Sequence, residues 1–121
     1  MIIVLFGTEM RDDADLDDYK ATSKQMLELA RQIPGFISIK GFVAEDGEAI
    51  AIARFASEEA LEAWRNHPEH VKAQRRGREQ FYHAYWVQVC KTIRDYEFHR
   101  DSTVSPADQL RPNNLSQWSA G

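Results

Sequence analysis

Hydrophobic and polar positions change period several times along the chain, and each change marks an element. Residues 2–11, IIVLFGTEMR, are a short run rich in β-branched and aromatic side chains, which predicts a strand. From residue 12 the spacing lengthens. Leu16, Tyr19, Met26, Leu29, Ala30 and Ile33 recur at separations of three, four and seven, one face of an amphipathic helix. Asp12, Asp13, Asp15, Asp17 and Asp18 crowd its start. Carboxylates there favour the positive end of the helix dipole, so this acidic run needs no metal to explain it. Pro34-Gly35 closes the helix.

Residues 35–46 alternate and predict a second strand, and Asp46-Gly47 is a hairpin turn signal. The third strand, 48–55, has unequal faces: Ala49, Ala51, Ala53 and Phe55 point one way, Ile50, Ile52 and Arg54 the other. The small face leaves room for a helix or a ligand to approach. Ser57 caps a second helix over 57–66, with Ala60, Leu61 and Trp64 as its apolar stripe. Pro68 interrupts it, and a further helical stretch runs to about residue 80. Residues 81–98 predict a long aromatic last strand, with Tyr82 and Trp86 on one face and Tyr85 on the other. Residues 99–121 are a polar tail, with one short helical start at Ser105-Pro106. The expected organisation is a domain over 1–98 and a tail over 99–121.

The order β-α-β-β-α-β predicts an α+β fold of the ferredoxin-like class, one antiparallel sheet with both helices on one face. The last strand is too apolar to leave the opposite face in water. A second copy of the chain, sheet against sheet, is the simplest cover, so a homodimer is expected.

Composition narrows the function. A 121-residue chain of net charge −4 is one domain and a poor general binder of nucleic acid. The single cysteine, Cys90, permits no internal disulfide, suits a reducing cytoplasm, and is expected to be an inert buried thiol. The N-terminus lacks the charged start and cleavage site of a signal peptide, and no apolar run is long enough to span a membrane. No Gly-rich dinucleotide fingerprint and no converging ligand set are visible, so neither cofactor nor metal is expected.

The segment IPGFISIKGF, a hairpin, and then ARFASEEALEAWRNHPEHVKAQRRGREQFY resemble the antibiotic biosynthesis monooxygenase family over residues 2–98. The resemblance implies ferredoxin-like chains paired as a dimeric α+β barrel. It also implies cofactor-independent oxidation of a small phenol or hydroquinone by O2 to a quinone. Such chemistry needs an apolar pocket that binds an aromatic ring, removes a proton and excludes water. Trp64 matches the family's tryptophan; Ala60 stands one turn upstream, where the family commonly has an asparagine. A haem-degrading branch uses a first-strand asparagine and a histidine ten residues after the tryptophan. Here the first strand has no asparagine and the tenth residue is Gln74, which argues against that branch.

WRNHPEH, residues 64–70, is therefore the end of the second helix beside the family's pocket. Trp64 and His70 are the catalytic candidates; Asn66, His67, Arg76 and Tyr82 are the substrate-binding candidates. Each has a structural alternative. Trp64 lies on the core stripe, and His67 stands at an exposed helix end. The His67-x-x-His70 pair lacks a third ligand for a metal. Lys72, Arg75 and Arg76 share a helix face that is either solvated or attracts an anionic substrate. The competing function is a non-catalytic dimeric barrel that binds a small apolar ligand, with haem binding third.

Overall fold

The structure, a computed structural model, describes residues 1–100. Four strands, β1 (Ile2–Met10), β2 (Phe36–Val43), β3 (Ala49–Phe55) and β4 (Tyr82–Lys91), make one sheet in the order β2-β3-β1-β4. Every neighbouring pair is antiparallel. The helices are α1 (Leu16–Ala30), α2 (Glu58–Arg65) and α3 (Pro68–Arg76), with a single π turn over Gly77–Phe81 before β4. This is the ferredoxin-like α+β fold that the alternation of periods predicts.

Register explains which face is buried. Ile2 pairs with Phe55 and Val4 with Ala53, and these pair in turn with Phe36 and Ile39 of β2. All six side chains share one face. Against it α1 packs Met26, Leu29, Ala30 and Ile33, while α2 packs Ala60, Leu61 and Trp64. The alanine face of β3 is thus the face beneath the helices. Gly35, with φ of +90°, lets the chain turn from α1 into β2 where a side chain would strain, and a Cβ there would press on Ala60 of α2.

Local caps hold the helices. Asp15 Oδ1 accepts the Asp18 N–H at 3.1 Å, and Asp17 and Asp18 fill the first turn of α1. Ser57 Oγ accepts the Ala60 N–H at 3.1 Å to start α2.

Ile3, Leu5, Phe42, Ile50, Ile52 and Trp86 lie on the opposite face, paired across the sheet in register. Trp86 lies over Gly7, which has no side chain to displace it. Trp86 and Phe42 remain 40% and 49% exposed, and no helix among the described residues covers that face.

Three expectations are corrected. The last strand ends at Lys91 rather than at residue 98, because Lys91 already pairs with Ile2, the first residue of its neighbour. Residues 92–100 form neither helix nor strand. Tyr82 shares its face with Tyr85, not with Trp86. A bulge puts Glu9 opposite Ala84 but Met10 opposite Tyr82, so His83 is the extra residue and the alternation slips by one. Cys90 is exposed, not buried; it pairs with Ile3 on the uncovered face. The expected helical stretch to about residue 80 divides into α3 and the π turn. The expected helical start at Ser105 and most of the tail over 99–121 lie outside the described residues. Among the described residues, no helix is long and apolar enough to cross a membrane.

Candidate functional site

The break between α2 and α3 gathers three of the predicted residues. Trp64, the penultimate residue of α2, is 5% exposed and belongs to the core. Pro68 has no N–H to continue the helix, and it sits at the first position of α3, where none is needed. The chain turns there and brings His70 back onto Trp64. The two rings stack, 4.2 Å between centroids and 17° between planes. The His67 ring is 5.9 Å from the same indole, tilted by 45°.

Backbone groups hold both imidazoles. His70 Nδ1 lies 3.1 Å from the Trp64 carbonyl oxygen. His67 Nδ1 accepts the Glu69 N–H at 3.1 Å and is the N-cap of α3. Burial pushes the His70 imidazole below the ordinary histidine range. Its bond to the Trp64 carbonyl opposes that shift, while charge on His67 adds to it. Burial thereby favours the neutral form of His70. Asn66 is the exposed C-cap of α2, and its Nδ2 donates to Glu62 Oε2 at 3.5 Å.

Arg76 and Tyr82 belong to a second cluster. Arg76 ties α3 to α1: its guanidinium ion-pairs with Asp18 and donates to Thr22 Oγ1 at 3.1 Å, while its Nε donates to Gln80 Oε1 at 3.1 Å. It also lies 5.3 Å from the centre of the Phe81 ring. Around Tyr82 the edges and faces of Phe6, Tyr19 and Tyr85 meet at 5.6–5.9 Å. Burial raises the Tyr82 phenol, and the Tyr19 hydroxyl beside it raises it further, so Tyr82 stays protonated. Phe6, Tyr19 and Tyr85 were not among the expected site residues. Phe6 and Tyr19 are far from Tyr82 along the chain, and the bulge that turns Tyr82 to the side of Tyr85 left no local signal for the cluster.

The helix-side face of β4 is open in part. Val87 and Val89 point to that side, in register with Phe6 and Val4, yet are 53% and 59% exposed. Two shallow surface depressions lie elsewhere: one of about 340 Å³ along β2 at Phe36–Lys40, and one of about 390 Å³ around Glu9, Glu48 and Trp86. Neither includes Trp64 or His70 in its lining. Among the described residues, no group of three His, Cys, Asp or Glu side chains is placed to hold a metal.

Comparison with known proteins supplies the lineage. Residues 1–76 match the antibiotic biosynthesis monooxygenase family. An uncharacterised protein of Bacillus subtilis, YqjZ, is 33% identical over 84 residues, covering 69% of this chain and 74% of its own. Among solved structures, Rv0793 of Mycobacterium tuberculosis superposes with a TM-score of 0.67 at 22% identity, covering 78% of this chain and 96% of that one. SnoaB, a cofactor-independent oxygenase from Streptomyces nogalater, gives 0.64 at 9% identity, covering 78% and 94%. Similarity at those identities speaks for the fold alone. The family match covers more than half of the residues, and so the chain belongs to the antibiotic biosynthesis monooxygenase family.

Proposed function

We propose that the protein is a cofactor-independent monooxygenase that oxidises a small phenol or hydroquinone-type ring to a quinone. The observation that carries this reading is the imidazole of His70, held neutral by burial and clamped between the Trp64 ring and the Trp64 carbonyl. A neutral, oriented imidazole is the group that such a reaction needs as its base.

His70 takes the phenol proton. The phenolate passes one electron to O2, giving superoxide and a phenoxyl radical; these combine at a ring carbon as a peroxide anion, which takes back the proton from His70 to become a hydroperoxide. Loss of water, with the hydrogen on that carbon, leaves a second carbonyl. One O2 and one phenol yield one quinone and one water, and the substrate supplies all four electrons that O2 takes up. Trp64 is the platform that fixes the His70 ring. The exposed apolar side chains of β4, with Tyr85, offer surface for the substrate ring. Asn66 and the Nε2 of His67 supply polar contacts to its oxygens. Arg76 and the protonated Tyr82 shape the second cluster.

The working unit in this reading is a homodimer in the cytoplasm. The uncovered face of Ile3, Leu5, Ile50, Ile52 and Trp86 is the surface that a second copy would bury. Sedimentation at micromolar concentration tests it: about twice the 14.0 kDa chain mass supports the dimer, and a monomer removes it.

An oxygen electrode with a panel of hydroquinones and fused-ring phenols tests the activity. O2 consumption matched by quinone formation, slowed roughly 10²–10⁴-fold in His70→Ala, supports the reading. Tight binding of apolar ligands with no O2 uptake would favour a non-catalytic barrel instead.

A further inference from the structure

Two imidazoles lie near one indole, and the backbone groups that hold them are of opposite kind. The Trp64 carbonyl can only accept, so the nitrogen facing it at 3.1 Å, His70 Nδ1, must carry a proton. The same oxygen takes the His67 backbone N–H at 3.1 Å, so both of its lone pairs are engaged. The Glu69 N–H can only donate, so His67 Nδ1 at 3.1 Å must be bare. In the reverse tautomer of His70, two lone pairs would face each other across that 3.1 Å contact. In the reverse tautomer of His67, two protons would.

We propose that the α2–α3 break locks the two histidines in opposite neutral tautomers, His67 protonated on Nε2 and His70 on Nδ1. His70 Nε2 is then the lone pair offered for proton transfer, and His67 is a positioning residue. The assignment deepens the proposed role of His70 as base and rests on it only for that role; the tautomers themselves follow from the hydrogen bonds.

The positioning argument is geometric. Pro68 has no N–H, so the Glu69 N–H is the first donor of α3 that needs an acceptor, and His67 provides it. His70 is the third residue of the same helix. The cap that sets where α3 begins therefore sets where the His70 ring lies on Trp64. The ring of a solvent-exposed histidine side chain prefers the Nε2–H form, so an Nδ1–H His70 is an imposed state and not a default. The titratable and charged side chains near His70 along the chain are Arg65, His67, Glu69 and Lys72, and Glu69 is engaged by Lys72 at 3.4 Å. Among the described residues no carboxylate hydrogen-bonds to the His70 ring, so the carbonyl of Trp64 sets its tautomer where a carboxylate often does.

Long-range proton–nitrogen NMR correlation on the full chain with labelled histidine, at pH 7.5, tests this without any substrate. The expected pattern is a pyrrole-type Nδ1 and a pyridine-type Nε2 for His70, and the reverse for His67. His67→Asn, whose side-chain oxygen still caps a helix, should keep the His70 pattern. His67→Ala should average its two nitrogen shifts toward a tautomer mixture. An Nε2–H His70 in the parent protein overturns the proposal, as does an unchanged His70 pattern in His67→Ala. Should His67→Ala fail to fold by circular dichroism, the parent spectrum and the His67→Asn spectrum decide. Absence of oxygenase activity would remove the base role and leave this measurement intact.

Discussion

The stack between Trp64 and His70 makes a quantitative prediction that the carbonyl hydrogen bond does not. Replacing Trp64 by Leu removes the indole and leaves the Trp64 backbone carbonyl, and so the bond to His70, in place. Trp64 is 5% exposed, so the lost burial and the residual cavity should cost roughly 2–4 kcal/mol. His70→Ala removes both contacts. The hydrogen bond is worth about 1 kcal/mol, since the carbonyl keeps its bond from the His67 N–H. An aromatic stack at 4.2 Å and 17° adds about 0.5–1.5 kcal/mol. The sum for His70→Ala is roughly 1.5–2.5 kcal/mol. In the double variant the stack is lost only once, so the two costs should fall short of additivity by about 0.5–1.5 kcal/mol. Urea unfolding of the four proteins at pH 7.5 measures this. With a slope of about 1–3 kcal/mol per molar urea, each single change shifts the midpoint measurably. Additivity within about 0.3 kcal/mol at equal slopes would refute the stack as an energetic contact.

Acid should weaken the fold through His70. Its folded-state affinity for protons is lowered from the ordinary 6.5, so the unfolded chain binds the proton first as pH falls. The contribution is fully present above 6.5 and is lost as pH drops from there through the depressed folded value. The urea midpoint should decline between pH 7 and 5, and His70→Gln should flatten that decline; an equal slope in both would contradict it. Arg76→Met should cost about 1–2 kcal/mol, mostly through its hydrogen bonds to Thr22 and Gln80, because the ion pair with Asp18 is more than one-third exposed. Amide hydrogen exchange should then quicken in α3 and the π turn while β1 and β3 stay protected, and uniform protection would show that no clasp exists. Gly7→Val should push Trp86 off the uncovered face and raise the dimer dissociation constant at least about tenfold, or 1.4 kcal/mol, with the monomer fold retained. Unchanged sedimentation would show that Trp86 is not at the interface.

The sequence by itself determined the order of the elements and the buried faces of β3, α1 and α2. The small face of β3, ending in Ala53 and Phe55, and the three–four spacing of Met26, Leu29, Ala30 and Ile33, are local patterns, and burial follows them because side-chain direction repeats with the backbone. Ser57 and Gly35 mark boundaries for the same reason: caps and turns are decided within a few residues. Trp64 on the stripe of α2 was legible as a core residue. Tertiary structure decided what no short window contains. The bulge opposite Glu9 and Met10 depends on two strands more than seventy positions apart, and it moved Tyr82 to the side of Tyr85 and away from Trp86. Arg76 met Asp18 across 58 positions, turning an expected surface cation into a tie between helices. Lys91 ended its strand because Ile2 is where the neighbouring strand begins. The pairing of His70 with the Trp64 ring and carbonyl required the chain to reverse at Pro68, a turn whose angle comes from packing α3 against α1. Hydrophobic period encodes which way a side chain points; which partner it meets there is fixed only when distant segments share one core.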